Sequence, residues 1–409
     1  MSDVPDFARD PNAPVPAHVP DELVRDINLL NGPGIAKRPF ETLTTLHEGP
    51  RTVYNTGEPM RGGYWMPTRA ADIRDILQDP ETFSSRGMAG FSALVGETWP
   101  LIPAELDPPV HSDFRTLLNP LFSPKAIASL EPRVEQRAVE LIDKLVGQKG
   151  CEFMSAFGRA FPVSIFLEIM GLPIENVELF SGWMDDILHS PDVDQRRAAM
   201  REVISYLREV AKARADQSGG DVISIVVNGK VQGRALTDDE IIGTLTLVFG
   251  GGIDTVANVL GFFFKHLAED PELQARLRAD PSLIRSAVEE LLRRYSIVVP
   301  HRQVTRDVEA AGVQMKAGDW IEVVTSLASL DPDEFAEPLA VRTERSPNRH
   351  LAFSSGPHRC VGAHLARREL AVAMERWLKH LPPFRLAPGE AYQCHGGLFG
   401  VDFLHLVWD

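Results

Sequence analysis

Apolar residues recur at helical spacing along most of the chain, and a period of two shows in only a few short runs. Ile73, Ile76 and Leu77 mark a helix that opens after Thr68 and stops before Pro80. Asp107-Pro108-Pro109 has the form of an N-cap followed by a helix start. Ser123-Pro124 opens a long amphipathic helix to about Val146, with Pro132 as a point of interruption. Further helical patterns cover about 160–170, 174–189 and 194–216. Thr237 and Glu240 have capping-box spacing, and the helix they predict runs to about Glu269 before Pro271 stops it. Shorter helices follow near 271–278 and 282–295, and another runs from Ala363 to about Leu381. Strand patterns fall at 53–56, 63–65, 303–307, 313–315 and 320–324, with a weak one at 401–407. Residues 83–103 and 331–350 have no period. The pattern predicts a mainly α protein with a little sheet.

The helix after Thr237 is apolar on nearly every side, so it is either a membrane span or a buried central helix. Residues 243–264 hold one charge, Asp254. Three glycines (Gly250, Gly251, Gly252) lie at its middle, the acidic run Asp238-Asp239-Glu240 precedes it, and no basic cluster sets an orientation. These features favour a buried helix and no membrane contact. The 409 residues are 44% hydrophobic, which is ordinary globular composition with ample core. A net charge of −15 argues against nucleic acid as a partner. Three cysteines, Cys151, Cys360 and Cys394, suit a reducing compartment without a disulfide framework. Residues 1–20 show no export or transit pattern, so the expected location is the cytoplasm.

Cys360 ends a loop rich in glycine and proline (353–362) and directly precedes a helix. Unpaired N–H groups and the positive end of the helix dipole favour a thiolate there. A buried, inert cysteine is the other reading. Within the central helix, each interior glycine costs roughly 0.8–1.0 kcal/mol relative to alanine. Asp254 and Thr255 follow the glycines, an acid beside an alcohol that could relay a proton. A helix crossing that needs small residues explains the same stretch. Glu290 and Arg293 stand at i, i+3, which on a solvated face means little. His111 and Arg115, at i, i+4 near a helix start, could grip a carboxylate. Cys394-His395 lacks paired ligands and is read as structural. No phosphate-loop, dinucleotide or zinc motif occurs.

Taken in order, D-P-P-x-H-x-x-x-R (107–115), G-G-x-D-T (251–255), E-x-x-R (290–293) and F-x-x-G-x-H-R-C-x-G (353–362) resemble the cytochrome P-450 superfamily. These are haem-thiolate monooxygenases, and the resemblance is greatest to soluble bacterial camphor-type members. It implies a helix-rich single domain over 1–409, with a small β subdomain, a long central helix and a partly extended arm at 1–45. It implies haem b as cofactor, with Cys360 as the axial thiolate. Asp254 and Thr255 would deliver protons in a groove opened by Gly251 and Gly252. His111, Arg115, Arg302 and His358 would hold the haem propionates. Glu290, Arg293 and Arg345 would form a structural ion network. The loop around 83–103 and the helices at 174–216 would be the substrate lid and channel.

Two positions depart from the family pattern. Ser354 stands where the family has glycine. Trp99 stands near the place of a tyrosine that bonds a substrate ketone. With Trp99, Leu101, Leu247, Val298 and Leu398 as lining, the implied substrate is small and mostly apolar, a terpenoid or norisoprenoid. The implied electron source is a ferredoxin with its reductase, docking on Arg349, Arg359 and Arg115, with Arg74 as a further candidate. Nothing demands more than a monomer. The alternatives are a haem-thiolate enzyme that uses peroxide, and a haem-binding sensor without activity.

Overall fold

The computed structural model describes residues 15–30, 32, 34–57, 63–190, 192–217, 219–389 and 391–409. Contacts gather these residues into two compact units, each drawn from separated stretches of chain. Residues 89–257 and 361–381 form a helical unit. The described part of 5–88, with 258–360 and 382–409, forms a unit that carries most of the sheet.

The helical unit has an aromatic core. Phe157 stacks on Phe161 with ring centres 5.1 Å apart, and Phe153 and Phe157 meet Trp377 edge-on at 5.2 and 5.3 Å. Helix Pro124–Asp143 packs along Ala363–His380. It does not break at Pro132, although an interior proline forfeits a backbone bond. Val134, Ala138, Leu141 and Ile142 bury the face beyond the proline, and Arg368 binds Glu131 and Glu135 on either side of it. Tertiary packing therefore holds the helix together where local preference would divide it. Helix Val110–Leu118 starts later than its Asp-Pro-Pro signal suggests, with Pro109 at the N-cap position. Asp107 contributes its backbone carbonyl, which accepts from the N–H of His111 at 3.1 Å.

Thr237 and Glu240 form a reciprocal capping box at the start of the central helix. That helix is not continuous. It runs as Asp238–Ile253 and Thr255–Glu269, with Asp254 in a bend between them. Its first half packs on Ala160–Met170, Val177–His189 and Val193–Arg214. The whole stretch Asp238–Glu269 is long and apolar enough to cross a bilayer, yet 61% of its most apolar window is buried within the fold.

In the second unit, Thr52–Asn55 and Tyr64–Pro67 pair antiparallel, with Tyr54 opposite Trp65. The sheet continues through Trp320–Glu322 and His301–Val304 to Phe83–Ser84. The strand expected at 303–307 thus begins earlier, at His301, where Glu322 supplies its partner. Of the expected N-terminal arm, residues 1–14 lie outside the described residues. Val24–Arg25 joins the sheet edge parallel to Thr52–Asn55, and Pro39–Thr44 is helical. At the end of the chain, Gly400–Trp408 pairs with Phe384–Leu386 on one side and Tyr392–His395 on the other.

Candidate functional site

The backbone of the cysteine loop closes on itself. The N–H of Cys360 donates to the Phe353 carbonyl at 2.9 Å, that of Arg359 to Gly356 at 3.1 Å, and that of Ser354 to Leu351 at 2.8 Å. Gly356 has φ 67°, and a side-chain carbon there would stand 2.4 Å from the Leu77 carbonyl oxygen. Only glycine fits that position. Ser354 has φ 61°, so it keeps the left-handed turn that a glycine would make freely. Its hydroxyl is buried and makes no hydrogen bond among the described residues. Ser354→Gly should therefore stabilise the protein by about 1 kcal/mol, the cost of a left-handed non-glycine residue. A urea midpoint that stays put or falls would contradict this.

Cys360 is exposed, and helix Ala363–His380 begins three residues beyond it. Gly362 at the N-cap offers no side-chain acceptor to the first turn. Cys394 contrasts with Cys360: 3% exposed, its thiol is pushed up to about 12 by burial. Among the described residues, no group of three acidic, His or Cys side chains could hold a metal ion.

Glu290, Arg293 and Arg345 come together in one buried network. Arg293 grips Glu290 with two bonds of 2.8 Å, and the Nε of Arg345 reaches the same carboxylate at 3.0 and 3.1 Å. Asn348 and the N–H of Arg342 complete the acceptor set at 3.1 and 2.9 Å. The other guanidinium edge of Arg293 donates to the carbonyls of Ser329, Pro338 and Ala340. Both Glu290 and Arg293 are 0% exposed. Burial alone would raise the Glu290 carboxyl, but the bonds from Arg293 and Arg342 outweigh it and hold the group below the ordinary range. In the same unit Arg302 is buried on its strand and donates to the His301 carbonyl at 2.7 Å. His358 is half-buried, as are Val298 and Leu398.

The helical unit holds the remaining candidates. His111 is buried on helix Val110–Leu118, and Arg115 donates to Asn119 at 2.9 Å. At the middle of the central helix, Leu247, Gly250, Gly251, Gly252, Asp254 and Thr255 are not fully buried, and the spacing of all but Gly252 puts them on one face. A side-chain carbon at Gly251 would meet nothing within 4 Å, whereas one at Gly252 would strike Phe166 at 2.1 Å. This unit therefore leaves open space along the Gly251 stripe and closes the helix on the Gly252 side. The hydroxyl of Thr255 donates to the Gly251 carbonyl at 2.9 Å, occupying an acceptor at the helix bend. Asp254 faces His189 at 3.6 Å. Trp99 and Leu101 are 2% and 4% exposed, and the indole N–H of Trp99 donates to Glu97.

Several of these partners carry no signal in the sequence. His189 belongs to another helix, and Asn348 lies in a stretch without period. Glu97 is two residues from Trp99 but reads as an ordinary loop acid. Arg349 and Arg74, both candidates for docking, converge on Glu334 at 2.8 and 3.6 Å.

Residues 166–390 match the cytochrome P-450 family. The chain belongs to the cytochrome P-450 family. It is 41% identical over 403 residues to a Sinorhizobium fredii protein named "Probable cytochrome P-450 127A1", covering 97% of each chain. Among solved structures it resembles cytochrome P-450 CYP101C1, with a TM-score of 0.87 at 34% identity over 97% of this chain and 100% of that one. CYP101J2 gives a TM-score of 0.85 at 34% identity with the same coverage. The protein is thus a cytochrome P-450 monooxygenase of the soluble bacterial camphor type, and its cofactor is haem b. The donor set fits that group. An exposed thiol on a stiff loop suits the iron, the open stripe at Gly251 suits a flat ring, and imidazole and guanidinium groups suit two carboxylates.

Proposed function

We propose that this cytochrome P-450 hydroxylates a small, compact, mostly apolar substrate of the terpenoid or norisoprenoid kind. It uses O₂ and two electrons from a ferredoxin served by a reductase. The observation that carries the substrate reading is the indole of Trp99. Its N–H is committed to Glu97, so it offers a substrate a ring and no donor. Leu101, Leu247, Val298 and Leu398 supply the rest of an apolar lining in the family's register. A ligand that needs a polar anchor would leave its own polar group unpaired there.

Haem b, when bound, supplies oxygen activation. By the family resemblance Cys360 would hold its iron, and His111, Arg115, Arg302 and His358 would be the groups that pair with its carboxylates. Gly251, where even a side-chain carbon would meet nothing within 4 Å, would leave room for the flat ring. Asp254 and Thr255 manage the proton. Thr255 Oγ1 is held at the helix bend by the Gly251 carbonyl, and Asp254 lies beside His189, a second group able to exchange protons. Glu290, Arg293 and Arg345 are scaffold.

The absence of nucleotide motifs supports a separate electron donor. Arg359 is the exposed cation adjacent to Cys360, while Arg349 and Arg74 already hold Glu334. The net charge of −15 speaks against a nucleic-acid partner, and the burial of the central helix speaks against its spanning a membrane; a cytoplasmic monomer remains part of the proposal. The two units would serve as one domain, since each is built from interleaved stretches of chain.

The test is turnover of β-ionone and related terpenoids with ferredoxin and reductase, scored for oxygenated product and for peroxide. Thr255→Ala should keep haem and substrate binding but send most of the electrons to peroxide. Unchanged coupling in that variant would remove Thr255 from the relay. Ferredoxin-driven turnover should fall as salt rises, because docking is electrostatic. A wild-type rate with peroxide alone that equals the ferredoxin-driven rate would favour the peroxide-using alternative.

A further inference from the structure

The loop that carries Trp99 is held by two carboxylates of different character. Glu105 is 4% exposed and accepts from the backbone N–H groups of Ala89 (2.9 Å), Gly90 (3.3 Å) and Leu101 (2.7 Å). It joins the two ends of the loop from inside. The far end is also wedged against the central helix. The N–H of Ile102 donates to the Gly243 carbonyl at 3.2 Å, and a side-chain carbon at Gly243 would lie 2.2 Å from the Pro100 carbonyl oxygen.

Between these anchors, residues 91–99 are held from outside by helix Val193–Arg214. Arg208 donates twice to Glu97, at 3.0 and 2.6 Å, and Arg197 donates to the Leu94 carbonyl at 3.0 Å. The same Glu97 carboxylate takes the indole N–H of Trp99. The bond from Arg208 is the main reason its carboxyl sits below the ordinary range. The pair is open to solvent, with the Arg208 side chain 50% and that of Glu97 31% exposed. A groove of about 310 Å³ runs beside it, lined in part by Val95, Arg201 and Ile204. Exposed ion pairs are weak and screened by salt. Glu105 therefore makes a permanent staple, and Glu97 makes one that can open.

We propose that Glu97 is a positioning residue with two separable tasks: its bond to Trp99 sets the pocket wall, and its bonds to Arg208 set how readily residues 91–99 lift from helix Val193–Arg214. The first task rests on the reading of Trp99 as pocket lining. The second rests on the hydrogen bonds alone.

Amide hydrogen exchange on the holoenzyme tests the latch without any substrate. In Arg208→Gln, exchange across 91–99 should rise about five-fold, as expected when a local opening equilibrium shifts modestly. The amides of Ala89, Gly90 and Leu101 should not change, because Glu105 holds them. Arg208→Lys, which keeps the charge without the fork, should fall between. Binding of 4-phenylimidazole, followed at the Soret band, tests the wall. In Arg208→Gln its entry and exit rates should rise together at constant Kd. In Glu97→Ala the affinity ratio of 4-phenylimidazole to imidazole should also change, and Glu97→Gln should restore that ratio but not the rates. Unmoved exchange at 91–99 in both Arg208 variants overturns the latch. Faster exchange with an unmoved ratio in Glu97→Ala overturns the wall and, with it, the reading of Trp99 as pocket lining.

Discussion

Cys360→Ser should abolish the red-shifted Soret band of the reduced, CO-bound protein and all oxygenase turnover. The expectation follows from how the loop treats its last residue. Three backbone bonds close the turn, Ser354 and Gly356 take left-handed conformations, and Cys360 is left exposed at the end. Sulfur as thiolate is a soft, electron-rich ligand, and an alcohol at the same atom is neither. The substitution keeps the size of the side chain, so the loop should survive it. Two imidazoles lie close in sequence, His358 and His364. If either were the ligand, wild-type protein would give a histidine-type CO spectrum and Cys360→Ser would leave it unchanged. That outcome would refute the assignment of Cys360. The expected one is a wild-type thiolate band, a variant without it, and far-UV circular dichroism that matches wild type.

Arg293→Ala should cost about 3–5 kcal/mol, the usual penalty for removing one partner of a buried ion pair. Against a typical total of about 5–15 kcal/mol, that is a large share of the stability of the folded state. Arg293 makes two bonds to Glu290 and three to backbone carbonyls, so its loss leaves a buried carboxylate and three carbonyls to be resatisfied. Arg293→Lys keeps the charge but cannot make the fork, and should fall between. The pH dependence has a definite sign. The Glu290 carboxyl is held below its ordinary range, so its contribution is fully present above the ordinary value of about 4.3. It is lost as pH falls through the folded-state value. Wild type should therefore lose stability on acidification in that window, and Glu290→Gln should lose less. The measurement is urea unfolding at several pH values, read by far-UV circular dichroism and by the Soret band. A variant midpoint equal to wild type would show that Arg345 and Asn348 carry the carboxylate alone.

How far each feature was legible depends on how local its cause is. The capping box at Thr237 and Glu240 and the start of helix Ala363–His380 need only neighbours in sequence, and both stand where the pattern puts them. Pro132 misled because the rule for proline is local, while the face that overrides it is paired with a helix more than 200 residues on. The bend at Asp254 could not be read from hydrophobic period, since both halves share one apolar stretch. Strand Phe384–Leu386 went unread because it follows Pro382-Pro383 with no turn signal such as the Gly312 that precedes Val313–Met315. Ser354 is the instructive case. Sequence shows that glycine is missing, and only the backbone shows that the left-handed turn is kept regardless.

By itself the sequence determined the mainly α class, the buried character of the central helix, and the order of motifs that points to Cys360, Asp254 and Thr255. Those follow from periodicity, turn chemistry and residue type, which neighbours along the chain set. Tertiary structure showed that Glu290 and Arg293 are buried and not a solvated face: Arg293 donates to the carbonyls of Ser329, Pro338 and Ala340, and Glu290 accepts from Arg345 and Asn348, all distant along the chain. It alone decided that the Trp99 donor is spent on Glu97, and that Glu97 is shared with Arg208, 111 residues away. A polar group's role depends on which partner reaches it first, and for long-range partners only the folded chain brings that partner near.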